Sequence, residues 1–228
     1  MEKCNNCGFC CSYDQQGDVF LYPLDLLRIA DFLHITNAQM VKQYCKVVEY
    51  EIILREHNFQ HTCRKIFIPV FALRMIKNLG CPFYDNVRKD CTIYSARPEQ
   101  CRYFPFIACI LEDTPQIVEL TGNCTVIQAF LSSFQNVDPS TTTPIMPFEV
   151  IETMTEKEKK AEFAYYLALT GPNGFITDQK AQKKWDALSE AAQSTQLFQF
   201  YSTYLEHGLD KAPIHRNDLS RNVSIDGR

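Results

Sequence analysis

The chain has 228 residues, 46% of them hydrophobic, which suffices for an ordinary globular core in one large or two small domains. A net charge of −4 argues against the basic surface that sequence-independent nucleic-acid binding requires. No stretch approaches the roughly 20 apolar residues of a membrane span, since the longest apolar run is broken by Pro69 and Arg74.

The chain opens on Cys4, Cys7, Cys10 and Cys11, in the order C-N-N-C-G-F-C-C. Buried free cysteines would sit among apolar neighbours, whereas these lie beside Lys3, Asn5, Asn6 and Gly8. Disulfides would call for a secretory leader, and no apolar run precedes Cys4. Metal ligation is the reading that remains, and eleven cysteines then point to a reducing cytoplasm. Two cysteines separated by two residues reach one ion across a tight turn, and Asn and Gly tolerate the left-handed angles such turns need. Cys4, Cys7 and Cys10 repeat every three residues, as in a ferredoxin run around an iron–sulfur cluster. In extended backbone Cys10 and Cys11 would face different partners.

Pro23 to Leu33 has a helical period, with Leu24, Leu27, Ala30 and Leu33 on one face. Thr36 and Gln39 form a capping box for a second helix running to about Cys45, with Met40, Val41 and Tyr44 inward. Cys45 reads as core because no turn residue flanks it. Val47 to Leu54 and Lys65 to Lys77 are strand-like around the polar connection Arg55 to His61. The local set His57, His61 and Cys63 reads as a solvated loop, because no second ligand pair completes it.

Cys81 to Tyr84 and Cys91 to Tyr94 form a hairpin candidate that would bring Cys81 and Cys91 together. Ser95 would cap a short helical turn with Pro98 in its first turn and Cys101 at its close. Arg97 and Arg102 fall beside the thiols, where a guanidinium would stabilise thiolates. Cys124 follows Thr121-Gly122-Asn123. Phe106 to Leu111 and Gln116 to Leu120 are strand candidates, with Cys109 as core, and Val126 to Phe134 is a short helix.

Asn136 to Pro147, with three Pro and three consecutive Thr, reads as a linker. Thr155 to Leu169 is helical and stops at Gly171-Pro172. Thr177 to Ala192 and Thr195 to Glu206 follow as helices, with Trp185, Leu188, Leu197, Phe200, Tyr201 and Tyr204 forming an apolar face. The expected fold class is α+β. A metal-stapled region with short antiparallel hairpins and helices spans 1–135, a helical part spans 150–210, and a loose polar tail spans 211–228.

The residues also resemble a family, the CxxCxxCC cysteine-cluster family of zinc- or iron-chelating proteins, often called YkgJ-like. The resemblance rests on the opening cluster, on Leu21-Tyr22-Pro23-Leu24-Asp25 through Tyr44, and on Gly80-Cys81-Pro82-Phe83. Its longest block is Cys91-x-Ile93-Tyr94-x-x-Arg97-Pro98-x-x-Cys101-Arg102-x-Phe104-Pro105. The likeness covers about residues 1–127, and the family includes flagellin lysine N-methylases.

The expected metal ligands are Cys4, Cys7, Cys10, Cys11, Cys81, Cys91, Cys101 and Cys124, with Arg97 and Arg102 as supporting groups. Eight thiolates serve two four-sulfur sites, or one four-iron cluster and a second metal. Zinc and iron both accept such ligands, and the triplet Cys4, Cys7, Cys10 tilts the choice narrowly to a [4Fe–4S] cluster. Dinucleotide, phosphate-loop, zinc-protease and radical-SAM cysteine spacings are all missing. Three functions stand: a cytoplasmic cluster or zinc protein in redox, metal handling or sensing; a cluster-containing lysine N-methyltransferase; and a metal-stapled module that binds a protein partner through its C-terminal helices, with no nucleic-acid or membrane partner.

Overall fold

The computed structural model describes residues 8–12, 17–56, 63–107, 122–124, 126–128, 155–156, 160, 164–171, 174–176, 178–207 and 223–227. The expected strand Gln116 to Leu120, the expected strand Phe106 to Leu111 beyond Ile107, the linker and the His57 and His61 loop lie outside these residues, as do Cys4, Cys7 and Cys109, and Phe106 and Ile107 themselves are not in a strand.

A four-stranded antiparallel sheet carries the fold. Strand β1 is Phe20–Leu21, β2 is Cys45–Glu56 and β3 is Cys63–Leu73. Strands β2 and β3 pair along their whole length, with Val48 opposite Val70 and Tyr50 opposite Ile68. β1 adds to the far side of β3, Phe20 opposite Ala72. Val70, Phe71, Ala72 and Leu73 are all buried in sequence, so this half of β3 is covered on both faces. The strand ends there, short of the expected Lys77, and the Arg74 guanidinium donates to the Cys45 carbonyl at 2.8 Å.

Helix α1, Phe9–Ser12, precedes β1, and α2, Pro23–Leu33, follows it. Pro23 fits the first helical position, where its missing N–H is no loss. The buried face is not the expected one. Pro23, Asp25, Leu26, Ile29 and Ala30 turn inward, and Leu24 is 58% exposed. The rotation follows Asp25, whose carboxylate has inward partners that apolar periodicity does not reveal. Helix α3, Asn37–Tyr44, has the expected box: the Gln39 amide donates to Thr36 Oγ1 at 3.2 Å, and the Thr36 amide to Gln39 Oε1 at 2.8 Å.

Residues 164–170 are helical, and the chain bends at Gly171. Helix α5, Gln179–Asp186, starts from Asp178, whose Oδ1 accepts the Ala181 amide at 2.7 Å. Helix α6, Glu190–His207, begins earlier than expected, since the break falls at 187–189 and Thr195 lies inside the helix. Ser189 Oγ accepts the Ala192 amide at 3.4 Å, and Gln193 Nε2 donates to the Trp185 carbonyl at 3.2 Å, which sets that corner.

These helices share one core with the N-terminal part. Tyr165, Leu169, Trp185, Leu197 and Tyr201 pack in the same cluster as Leu21, Leu26, Ile29, Met40, Cys45, Phe71 and Ile93. Tyr201 Oη donates to the Leu21 carbonyl at 2.6 Å, and Tyr165 Oη to the Pro69 carbonyl at 2.8 Å. Within the stretch expected to be a loose tail, Val223–Gly227 form a strand antiparallel to Ile52–Glu56 of β2, giving the sheet its outer edge. The arrangement is α+β, as the sequence predicts. Among the described residues no helix is long and apolar enough to cross a membrane.

Candidate metal centre

The hairpin expected after Gly80 is present as β4, Tyr84–Asp85, paired antiparallel with β5, Asp90–Cys91. Asp85 builds its turn: Oδ1 accepts the amides of Val87 and Arg88 at 2.8 and 2.9 Å, and Lys89 takes a left-handed φ of 58°. A preceding turn, closed by the Gly80 amide on the Ile76 carbonyl at 2.9 Å, delivers Cys81. Past Cys81, the amides of Phe83 and Tyr84 face its sulfur, and the Ile93 amide faces the sulfur of Cys91. Each of these thiols is therefore followed by a turn of backbone that points N–H at its sulfur, an arrangement that stabilises negative sulfur.

The N-terminal segment docks on this hairpin. The Cys81 amide donates to the Cys11 carbonyl at 2.7 Å, and the Cys11 amide to the Gly8 carbonyl at 3.0 Å. Gly8 is buried with φ of 77°, and a Cβ there would stand 1.7 Å from Tyr84 Oη. Cys10 and Cys11 are carried on α1, not on extended chain, so they do not point to opposite sides. Helical neighbours diverge by about 100°, and the two sulfurs lie 4.0 Å apart.

Cys101 arrives on helix α4, Glu99–Tyr103. Ser95 is not its cap. Ser95 belongs to a 3-10 turn, Tyr94–Ala96, and Pro98 stands at the cap position with no side-chain acceptor to offer. The acceptor comes from α2: Asp25 Oδ1 takes the Glu99 amide at 3.0 Å, while Oδ2 takes the Tyr22 amide at 3.1 Å. Arg28 pairs with Asp25 at 2.5 Å and with Glu99 at 3.0 Å, and donates to the Arg97 carbonyl at 2.9 Å. Gln100 Oε1 accepts the Phe20 amide at 2.7 Å, which fastens α4 to the sheet.

Cys11, Cys81, Cys91 and Cys101 interact electrostatically as one neighbourhood. Burial pushes the Cys81 thiol up to about 12, against the pull of the Phe83 and Tyr84 amides, and Cys11 and Cys91 push it further. Burial also raises Cys91, with the Ile93 amide and Arg97 opposing and Cys11 and Asp90 adding to the rise. Cys101 is raised well above the ordinary thiol range, first by burial and then by Cys81, Cys11, Cys91 and Asp25. Cys11 moves the other way: its hydrogen bond with Cys10 lowers it, burial opposes, and Arg97 helps. Thiols that resist ionisation because they are buried together are those a cation would ionise, since a metal inverts the local balance. Among the described residues no three Cys, His, Asp or Glu side chains stand in a ready metal-holding arrangement. In donor chemistry the set fits zinc or iron: soft sulfur ligands, N–H groups aimed at sulfur, and one nearby guanidinium.

The remaining candidates are placed as follows. The Arg97 guanidinium lies over the Tyr94 ring, 4.1 Å from its centre, within electrostatic reach of Cys11 and Cys91. Arg102 donates to the carbonyls of Ser95 at 2.7 Å and Arg97 at 3.1 Å. Cys124 is buried, and its carbonyl accepts the Gln128 amide at 3.0 Å. Cys45 packs in the core with its sulfur 3.6 Å from the Met40 carbonyl, and burial pushes it up to about 12. Asp25, Arg28 and Gln100 support the site without any local sequence signature of that role, whereas Gly8 takes the left-handed turn conformation expected of it, with φ of 77°. Asp25 stood inside a family-like block, and that position was the one available signal.

Against known proteins, the model of the CxxCxxCC family, described as a putative zinc- or iron-chelating domain, matches residues 3–126. No solved structure matches the chain.

Proposed function

This chain belongs to the CxxCxxCC family of zinc- or iron-chelating domains, and from that premise we propose that Cys11, Cys81, Cys91 and Cys101 hold one four-thiolate centre. The observation that carries this reading is the backbone bond from the Cys81 amide to the Cys11 carbonyl at 2.7 Å, together with the influence of Cys11 and Cys91 on Cys81 and of all three on Cys101. Cys10, whose sulfur lies 4.0 Å from that of Cys11, joins this centre to the Cys4, Cys7, Cys10 run. A [4Fe–4S] cluster is the favoured occupant of the site as a whole, with zinc the alternative, because the Cys4, Cys7, Cys10 spacing follows the ferredoxin run.

When bound, the cluster would supply one-electron redox chemistry, and the protein's role is then electron transfer or redox sensing in a reducing cytoplasm. The residues' own parts are distinct. Cys11 gives up its proton more readily than an ordinary thiol, because of its hydrogen bond with Cys10 and the nearby Arg97. Cys81 and Cys91 accept amide N–H groups that offset the charge their sulfurs take on. Arg97, stacked over the Tyr94 ring, offsets charge on Cys11 and Cys91.

The test is reversible reduction of protein purified without air. Visible absorption that bleaches with dithionite and returns on mild oxidation supports the redox reading. A colourless protein that retains zinc through the same cycle overturns it in favour of zinc.

A further inference from the structure

Asp25 is fully buried on a helix face that is otherwise apolar. A buried ion pair is a poor way to gain stability, because desolvation offsets the attraction. Its contacts show where its effect goes instead. One carboxylate serves the first turns of two helices, α2 through the Tyr22 amide and α4 through the Glu99 amide, 74 residues along the chain. Arg28 extends the grip to the Ala96 carbonyl at 3.4 Å, the Arg97 carbonyl at 2.9 Å and the Glu99 carboxylate at 3.0 Å.

Helix α4 has five residues, too few to hold itself together in water. Pro98 at its start offers no cap. Its position is therefore set by what it leans on, and Cys101 is its third residue. The same grip holds the Arg97 backbone, whose guanidinium acts on Cys11 and Cys91.

We propose that Asp25 and Arg28 are positioning residues of the thiolate centre, presenting Cys101 and Arg97 to it through the backbone of residues 96–99. The proposal rests on the four-thiolate reading given above. Neither residue touches the metal. Both act by fixing the segment that carries a ligand and the nearby cation.

The full-length chain, purified without air, tests this with Asp25→Ala, Asp25→Asn and Leu26→Ala. Leu26 is buried on the same helix and carries no polar group that could serve the Glu99 amide, so its variant reports general loss of stability. Each protein is labelled with N-ethylmaleimide and the rate read cysteine by cysteine. Each is also titrated with cobalt(II), whose thiolate charge-transfer intensity counts sulfur ligands. In Asp25→Ala, Cys101 should label about tenfold faster than in the unsubstituted chain, as loss of a local charged hydrogen-bond network allows, with Cys81 and Cys91 unchanged. The charge-transfer intensity per cobalt should fall by about one quarter, one sulfur in four. Asp25→Asn, which keeps an acceptor oxygen of the same shape, should label more slowly than Asp25→Ala. Protected Cys101 in Asp25→Ala overturns the proposal. So does uniform labelling of Cys81, Cys91 and Cys101 that Leu26→Ala reproduces. If the unsubstituted chain takes up no cobalt, the four-thiolate reading fails, while the labelling pattern still judges the positioning role.

Discussion

The amide of Cys81 donates to the carbonyl of Cys11 at 2.7 Å, so the two cysteine-bearing regions are joined through their backbones. Both partners are backbone groups, so any substitution other than proline at position 81 leaves them in place. What keeps it aligned is Gly8, folded back in a left-handed conformation against the Tyr84 ring.

Gly8→Ala should therefore loosen the N-terminal segment. The φ of 77° costs a residue with a Cβ about 1–2 kcal/mol, and the new methyl collides with Tyr84. Adding Tyr84→Ala should recover the collision and leave the backbone strain. Metal affinity and thermal melts of the single and double variants check this. An unchanged Gly8→Ala protein would show that the docking is not needed.

Cysteines of the shared neighbourhood should behave unlike the core cysteine. Cys81→Ser, Cys91→Ser and Cys101→Ser should each strongly lower metal content. Cys45→Ser should keep the metal and lose about 1 kcal/mol of stability, because it places a hydroxyl among apolar side chains. Elemental analysis with a denaturant melt separates the two effects. Metal loss in Cys45→Ser with retention in Cys81→Ser would reverse the assignment.

Burial raises Asp25 from 3.8 to about 6, opposed by the Glu99 and Tyr22 amides and by Arg28. A carboxyl that binds its proton more tightly in the fold adds stability that is complete below about pH 4 and is lost as pH rises through about 6. Asp25→Asn lacks that titration. The stability of the unsubstituted chain relative to Asp25→Asn should thus decline between pH 4 and pH 7, by at most about 3 kcal/mol. Urea melts across that range measure it. A difference independent of pH would mean that the carboxyl titrates alike in both states.

Tyr201→Phe should weaken the whole chain as one unit. The Tyr201 hydroxyl donates to the Leu21 carbonyl and accepts the Phe71 amide at 3.4 Å, all inside the shared core. Its removal leaves a buried carbonyl without its partner, at a cost of about 1–3 kcal/mol. Near- and far-ultraviolet circular dichroism should move together to a lower midpoint. Two separated transitions would show that the helices and the cysteine region fold independently.

Much of this was legible where the chemistry is local. Pro23, the Thr36 and Gln39 box, and the turn residues beside Cys81 and Cys91 announce their elements because their partners lie within a few residues. The rotation of α2 was not legible, since Leu24 looks like core and Asp25 like surface until Glu99 is brought to it. The cap of α4 was misread for the same reason: Ser95 is near in sequence, while the true acceptor is on another helix. The α5–α6 break turns on Ser189, a single residue inside a continuous helical composition. In the tail, Val223 and Ile225 alternate with Ser224 and Asp226, a pattern too short to read as strand without β2 beside it. The thiols themselves were visible; which of them share one neighbourhood depends on contacts such as that between Cys11 and Cys81.

A redox-active cluster on these cysteines would leave its elements countable in the protein. Iron, acid-labile sulfide and zinc measured on the full chain purified without air test it most directly. About four irons and four sulfides per chain are expected, the content of one [4Fe–4S] cluster, with both lost in the Cys81→Ser, Cys101→Ser double variant. Stoichiometric zinc without sulfide would contradict the cluster, and iron and sulfide undiminished in the double variant would contradict the thiolate centre itself.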